Sequence, residues 1–240
     1  MRVYCLGNKS LRCSLSVSGT MLNMIEDGII LIDKPAGMSS FGVVARIRRQ
    51  LSQHYGHKMK VGHTGTLDPF ATGLMILVVG KECKNAQQYS KLDKMYEATI
   101  VLGKTSSTGD PEGEITTVSN KKVVQSDIEK ILGQFTGEIT QTPPAFSAIK
   151  VDGQRAYKLA RAGKKVEIPA RNVTIYSLQL LSYEYPILKI RTKVSSGTYI
   201  RTLAQDIGEA LGVGAYCSEL RRTSIDKYSI EKVSHAFIVE

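Results

Sequence analysis

The order of strand-like and helix-like patterns along this chain is the strongest constraint on its fold. Short apolar runs at 28–33, 74–79 and 96–102 predict strands, as do two later runs at 173–181 and 187–194. Helical spacing of apolar residues separates only some of these runs, so strand and helix do not alternate regularly. This order favours an α+β fold with a central, mixed and largely antiparallel β-sheet flanked by helices.

The segments with helical spacing carry recognisable start signals. Ser39 and Ser40 can cap a first helix whose apolar face runs to Leu51. Ser126 and Glu129 form a capping box that predicts the start of a second helix. Two later helices are expected, at 154–162 and 200–211.

Composition indicates a globular protein with an anionic partner. The chain has 240 residues, which is enough to bury a core without disulfides or metals. Its 32 Lys and Arg against 22 Asp and Glu give a net charge of +10, and such an excess suggests a polyanion as partner. Lys189, Arg191 and Lys193 alternate with apolar residues, which predicts one basic strand face.

The cysteine pattern and the apolar runs indicate where the protein works. Four cysteines without a C-x-x-C pair, and only four histidines, argue against a zinc site or a disulfide framework, so we expect a cytoplasmic protein. The longest apolar run, 74–79, is far shorter than the ~20 residues of a membrane helix. Residues 1–23 make no convincing signal peptide, and we expect them to be a disordered leader to a domain covering 24–240.

Two glycine-containing segments resemble nucleotide-binding motifs but lack essential positions. Gly103-Lys104-Thr105 resembles the end of a phosphate-binding loop, yet Ala98 stands where the first glycine belongs. A second segment, 212–217, has Cys217 in place of the third glycine of a dinucleotide fingerprint. We therefore expect no nucleotide cofactor and no metal, and any chemistry must rest on side chains.

The segment 62–73, GHTGTLDPFATG, is the best candidate for such chemistry, and its Asp68 has two interpretations. An Asp-Pro pair is typical of a helix N-cap with proline at the first helical position. Alternatively, Asp68 is a reactive carboxylate on a glycine-rich loop, kept ionised by nearby basic residues. The local pattern leaves both interpretations open.

Six segments together resemble the TruB family of tRNA pseudouridine synthases. They follow one another in the family's order and extend over most of the chain. They are GIILIDKPAGMSSF at 28–41, GHTGTLDPFATG at 62–73, KMYE at 94–97, TPPAFSAIKVDGQRAY at 142–157, SSGTYIRTLAQDIG at 195–208 and LRRT at 220–223.

The resemblance implies the pseudouridine synthase fold and an isomerase activity. Members of the family convert uridine 55 in the T-loop of tRNA to pseudouridine, without a cofactor, after flipping the base out of its stack. Asp68 corresponds to the catalytic aspartate. It acts either as a nucleophile or as a base, and the sequence does not separate these routes.

The resemblance also assigns residues to the active site. Arg201 corresponds to an arginine that pairs with the aspartate, although its local pattern is equally that of an exposed helix charge. Tyr96 corresponds to the tyrosine that stacks on the target base, with an ordinary strand aromatic as the alternative. Tyr199, Leu220 and Lys34 correspond to further residues of the pocket.

Substrate binding is expected to involve the T-arm of tRNA and a single copy of the protein. The segment from about 141 to 171 matches a family insertion that closes over the RNA arm. His63 is expected to bind RNA rather than to transfer protons. The other predicted RNA contacts are basic: Arg46, Arg49, Lys150, Arg155, Lys158 and Arg161.

Two further expectations concern what the chain lacks and what else it could do. Many family members carry a C-terminal RNA-binding domain of the PUA type, and since this sequence stops at Glu240 we expect that domain to be missing. The alternative function is a tRNA-binding folding chaperone with incidental or no isomerase activity. The presence of Asp68, Tyr96 and Arg201 favours the enzyme.

Overall fold

A computed structural model describes residues 2–6, 25–151, 153–164 and 166–231 of the chain. The chain divides into two compact units, unit 1 being Met1–Leu92 with Arg221–Glu240 and unit 2 being Asp93–Leu220. The strands are β1 Arg2–Leu6, β2 Gly28–Lys34, β3 Val61–His63, β4 Thr72–Val79, β5 Lys94–Leu102, β6 Lys104–Ser106, β7 Ile115–Thr117, β8 Gly137–Gln141, β9 Lys150–Val151, β10 Gln154–Arg155, β11 Arg171–Glu184, β12 Ile187–Val194, β13 Ala215–Ile225 and β14 Tyr228–Ser229. The helices are α1 Ser40–Tyr55, α2 Ala86–Ser90, α3 Gln125–Gln134, α4 Ala156–Arg161 and α5 Ile200–Ala210, with a 3₁₀ helix at Gly80–Asn85.

Unit 1 is built around β2 and β4, whose apolar runs are buried along nearly their whole length. These two strands pair antiparallel, with β1 on the other edge of β2 and β3 on β4. Helix α1 buries the apolar face that the sequence predicts, ending at Leu51. Ser39 caps this helix, because its Oγ accepts a hydrogen bond from the Gly42 amide at 3.0 Å.

Strand β1 differs from the expectation for the N-terminal segment. We expected residues 1–23 to be disordered, but residues 2–6 pair with Ile29–Asp33 of β2. The apolar β2 has an open edge that can take one more strand, and backbone pairing needs little from the side chains of that strand. Residues 7–24 lie outside the described residues.

Unit 2 contains the strand order β13, β5, β12, β11, β8. The last three neighbouring pairs, β5–β12, β12–β11 and β11–β8, are antiparallel. In β12 the apolar positions are buried and the basic ones exposed, which confirms the predicted alternation. The helix predicted from Ser126 forms as α3, but its predicted capping box is wrong: α3 begins one residue earlier, with Val124 at the N-cap and no side-chain cap.

The fold class predicted from the order of patterns is confirmed. Antiparallel pairs dominate, and the parallel pairing of Arg221 and Arg222 in β13 with Thr72 and Gly73 in β4 makes the structure mixed. The 142–170 segment connects β8 to β11 and carries the short α4, which Gly163 follows in a left-handed conformation at φ +71°. None of the helices in the described ranges is long and apolar enough to cross a membrane.

Candidate active site

Asp68 lies in an irregular loop between β3 and β4, and its carboxylate side chain is half-buried. No helix follows Pro69; the chain instead makes a short turn in which the Ala71 amide donates to the Asp68 carbonyl at 3.1 Å and then enters β4. The N-cap interpretation of Asp68 is therefore wrong. Asp68 has no helix to cap.

Ser40 holds the residue just before Asp68. Its Oγ donates to the Leu67 carbonyl at 2.8 Å and accepts from the Leu67 amide at 2.8 Å. Ser40 is buried, so both bonds are shielded from water. A hydroxyl at the start of α1 thus fixes both polar groups of one loop residue, a role that the sequence analysis did not assign to it.

Lys34 holds the residue just after Asp68. Its ammonium donates to the carbonyls of Pro69 at 3.2 Å, Pro35 at 2.8 Å and Met38 at 2.7 Å. The side chain is fully buried, at 0% exposure. These contacts place Lys34 beneath the loop, and its role in the pocket, which the resemblance implies, stays a prediction.

Arg222 supports the first part of the loop. Its Nε donates to the Leu74 carbonyl at 2.6 Å, and its terminal nitrogens reach the carbonyls of Gly65 at 3.2 Å and Thr66 at 3.5 Å. The side chain is 1% exposed. Gly73 permits the close approach of the Arg222 main chain. It adopts φ +107°, and a Cβ there would lie 2.3 Å from the Arg222 carbonyl oxygen.

The loop that carries Asp68 is therefore fixed through its main chain from three directions. Arg222 binds it at Gly65 and Thr66, Ser40 at Leu67, and Lys34 at Pro69. A carboxylate held between such anchors loses little conformational freedom when it meets a substrate. The arrangement suits a nucleophile or base that must act from one position.

Arg201 lies in α5 of unit 2 and is buried, at 3% exposure. It forms an ion pair with Asp110 at 3.0 Å and donates to the carbonyls of Thr108 and Phe146, each at 2.8 Å. The interpretation of Arg201 as an exposed helix charge is wrong. The pairing with Asp68 implied by the resemblance stays a prediction.

Asp110 is itself held in place by its own turn. The Thr108 hydroxyl donates to its Oδ1 at 2.5 Å, and the Glu112 amide donates to the same oxygen at 3.0 Å. Its other oxygen is thereby turned to Arg201. The turn between β6 and β7 thus supplies a buried counter-ion to a predicted active-site residue.

The remaining residues assigned by resemblance occupy well-packed positions in unit 2. Tyr96 on β5 is 8% exposed, and Leu220 on β13 is 7% exposed. Tyr199 is half-buried and occupies the N-cap position of α5. Whether Tyr96 stacks on a nucleobase stays a prediction, but burial in a strand gives its ring a fixed orientation.

The predicted RNA-binding residues differ in how accessible they are. The cations Lys150, Arg155, Lys158 and Arg161 are all exposed, and we call them the basic segment. On α1, Arg49 is exposed and Arg46 half-buried, while His63 is half-buried in β3.

The predicted basic face of β12 is less available to RNA than its sequence suggests. The guanidinium of Arg191 forms an ion pair with Glu97 at 2.7 Å. The ammonium of Lys193 lies over the Tyr176 ring, 5.5 Å from its centroid. Both cations therefore already have partners within the protein. In the basic segment, Arg155 and Arg161 also have such partners, the Ala148 carbonyl and the Tyr157 ring, while all four of its cations are exposed.

One carboxyl outside these contacts has a shifted pKa. Burial, helped by the nearby Glu209, raises the pKa of Asp206 on α5 to about 6, so that this carboxyl titrates close to neutrality. Over the described ranges, no cluster of three or more His, Cys, Asp and Glu side chains could hold a metal ion.

Comparison with solved structures identifies the fold as that of the pseudouridine synthases. A chain of "Crystal Structure of a Cbf5-Nop10-Gar1 Complex" matches with a TM-score of 0.65 and 31% identity, covering 86% of this chain and 51% of that one. A chain of "Structure of H/ACA RNP bound to a substrate RNA containing 2'-deoxyuridine" matches with a TM-score of 0.62 and 29% identity, covering 86% and 50%.

Sequence comparison then places the chain within one family of this fold. The model of the TruB family pseudouridylate synthase N-terminal domain matches residues 49–200, and that of the tRNA pseudouridylate synthase B C-terminal domain matches 201–238. The chain belongs to the TruB family.

Curated relatives are named tRNA pseudouridine synthase B. Those of Burkholderia lata and Pseudomonas fluorescens are 47% and 48% identical over 85% of this chain, which spans 62% and 65% of their lengths. The relative of Opitutus terrae is 43% identical, and this chain covers 83% of it. The chain thus spans slightly less than two thirds of the first two relatives.

Ser40→Ala is expected to loosen the Asp68 loop. The Leu67 amide loses its buried acceptor, so its hydrogen exchange should quicken by about tenfold or more, because one lost bond of this kind costs about 1–3 kcal/mol. Ser39→Ala is the matched control, since it removes the cap of the same helix and leaves the loop bonds intact. Equal exchange of Leu67 in both variants would contradict the anchoring role of Ser40.

Asp110→Asn is expected to destabilise unit 2 strongly. It removes the buried carboxylate charge from the Arg201 guanidinium while the bonds to Thr108 and Phe146 remain, and removal of one partner of a buried pair costs up to about 3–5 kcal/mol. Asp33→Asn is the control, because the Arg221–Asp33 pair is partly exposed and a pair of that kind contributes about 1 kcal/mol or less. Urea unfolding measures both, and similar losses would argue against a structural role for the Asp110 pair.

Proposed function

We propose that this protein isomerises uridine to pseudouridine in tRNA, with uridine 55 of the T-loop as its target and Asp68 as the catalytic residue. The observation that carries the proposal is the carboxylate of Asp68 on a loop anchored at both of its neighbours, in a chain of the TruB family. Capping of a helix is excluded for this aspartate, and the bonds that fix Leu67 and Pro69 on either side of it support a role that depends on its position.

The reaction needs a well-placed carboxylate and no co-reactant. The bond between C1′ and N1 of the uridine breaks, and a bond between C1′ and C5 forms. The C5 proton leaves to solvent while N1 gains a proton, so the product is an isomer of the substrate. Asp68 acts as a nucleophile on sugar or base, or as a base on a ribose proton, and both routes require the ionised form.

The target base must leave the stack of the folded RNA loop before it can react. Flipping costs a few kcal/mol, which stacking on an aromatic ring partly offsets. We assign this ring to Tyr96, whose burial in β5 supports a rigid orientation. By the family resemblance Tyr199, Leu220 and Arg201 complete the surroundings of the flipped uridine, with Arg201 orienting the carboxylate.

The basic segment supplies the proposed contacts to the T-arm. Its four cations are exposed, and they lie on short elements between β8 and β11. Lysine and arginine at such positions neutralise phosphates and release bound counter-ions. We further propose that the protein acts as a monomer in the cytoplasm, where unmodified tRNA is available.

Asp68→Asn is expected to abolish the reaction and leave tRNA binding intact. The amide has almost the shape of the carboxylate but is neither a nucleophile nor a base at neutral pH. The measurement is tritium release from an unmodified tRNA transcript labelled at C5 of its uridines. The parent should release one equivalent per tRNA, and so should the exposed surface control Asp127→Asn.

The outcomes of that experiment separate the two candidate functions. Release by the parent and none by Asp68→Asn supports the isomerase. No release by the parent, with salt-sensitive tRNA binding by both, overturns the proposal in favour of a binding protein that assists RNA folding. A transcript lacking uridine 55 tests the proposed position, because it should release no tritium.

Removing charge from the basic segment is expected to weaken the salt dependence of tRNA binding. With Lys150, Arg155 and Lys158 changed to Gln, the log–log slope of affinity against salt should fall in magnitude by about 2, since each phosphate contact contributes roughly 0.7–0.9. Gln replacements at the exposed Lys121, Lys122 and Lys130 remove the same charge elsewhere and should change the slope little. Equal changes in both triple variants would contradict a specific phosphate contact.

A further inference from the structure

The main chain of Tyr199 is bound by the side chain of Gln141 from strand β8. The Gln141 Oε1 accepts a hydrogen bond from the Tyr199 amide at 3.0 Å, and its Nε2 donates to the Tyr199 carbonyl at 3.2 Å. Gln141 is 1% exposed. The Gln141 side chain therefore binds both main-chain groups of Tyr199, at the point where α5 begins without a side-chain cap of its own. The Tyr199 carbonyl also accepts from the Leu203 amide at 3.1 Å.

The ring of Tyr199 contacts a different residue, Arg171. The guanidinium carbon of Arg171 lies 5.0 Å from the ring centroid, within the range of a cation–π contact. Arg171 also donates to the carbonyl of Gly197, two residues before Tyr199 in the chain. Its planar group thus lies against both the ring and the turn that leads into it, and this restricts the directions in which the ring can point.

These two partners are themselves neighbours with a common position in the fold. Gln141 is the last residue of β8, Arg171 is the first of β11, and the two face each other in the antiparallel register. They form the root of the 142–170 segment, which contains the basic segment. Both ends of the proposed RNA-binding element therefore contact the same tyrosine.

We propose that Gln141 and Arg171 are positioning residues that couple the hold of the 142–170 segment on RNA to the placement of Tyr199 at the target uridine. The inference rests on the proposed function, because it takes Tyr199 as a residue of the active site. Phosphates bound by the basic segment restrain the strands at its root. The root in turn restrains Tyr199 through two hydrogen bonds and the ring contact.

The coupling is tested by a variant that changes the root without changing the charge of the protein. Gln141→Met has a side chain of similar length with no strong hydrogen-bond donor or acceptor. We expect its single-turnover rate of tritium release to fall about tenfold, because the Tyr199 amide loses its acceptor and the main chain that carries the ring is held less firmly. The dissociation constant for tRNA should stay within about twofold, because the phosphate contacts remain.

Asn172→Ala is the matched control in the same two strands. Asn172 pairs with Thr140 at the next register position and bonds Thr140 and Glu138. This change disturbs the adjacent side-chain pair, and the single-turnover rate should stay near that of the parent. A tenfold loss in this control as well would overturn the inference, since a general loosening of the strands would then explain the effect.

A double-mutant cycle distinguishes positioning from loss of structure. If Gln141 acts through the Tyr199 ring, Gln141→Met should cost no further rate in a Tyr199→Ala background. Additive losses would overturn the inference. Should Gln141→Met fail to fold, Arg171→Lys serves instead, because it keeps the charge, loses the planar fork and is expected to show the same non-additivity with Tyr199→Ala.

Failure of this inference can be told apart from failure of the proposed function. If the parent protein releases no tritium, the proposed function is overturned and the coupling falls with it. If the parent is active and Gln141→Met matches it in rate, only the coupling is overturned. A loss of rate in Gln141→Met with unchanged affinity, absent from Asn172→Ala and from the Tyr199→Ala background, supports it.

Discussion

Buried cations bonded to main-chain carbonyls are the interaction on which the Asp68 loop depends. Lys34 and Arg222 are almost wholly excluded from water, and each directs its donors at carbonyl oxygens of the loop and its flanks. Carbonyl groups in an irregular loop have no strand or helix to satisfy them, and burying them unpaired is costly. One arrangement therefore satisfies the carbonyls, gives the cations partners and leaves the Asp68 carboxylate between fixed neighbours.

Unit 2 also contains a buried cation, and there an ion pair stabilises it. Arg201 is buried on α5, and its charge is balanced by Asp110 from a turn far away in the sequence. The turn is rigid because Thr108 and the Glu112 amide hold the carboxylate. The guanidinium is thereby held in one orientation.

The sequence predicted what local patterns and family motifs carry, and it missed what depends on distant contacts. The α+β class, the buried strand β4 and the Ser39 cap follow from periodicity and are confirmed. Asp68 looked locally like an N-cap, and only the absence of a helix after Pro69 decides against that. The burial of Arg201 depends on Asp110, 91 residues earlier, so no helical periodicity could have shown it. Ser40 and Arg222 lie inside recognised motifs, yet their bonds to carbonyls become visible only when the loop has folded around them.

Anchoring through main-chain atoms has a consequence for how this loop can change over evolution. Carbonyl and amide groups are the same in every residue, so the bonds made by Lys34, Ser40 and Arg222 do not depend on which side chains the loop carries. Thr66, which is exposed, can therefore vary without loss of the loop's shape. Gly73 cannot vary in this way, because a side chain there would collide with the main chain of Arg222. In a loop of this construction, the positions that tolerate many side chains are separate from those, such as Gly73, that must be retained.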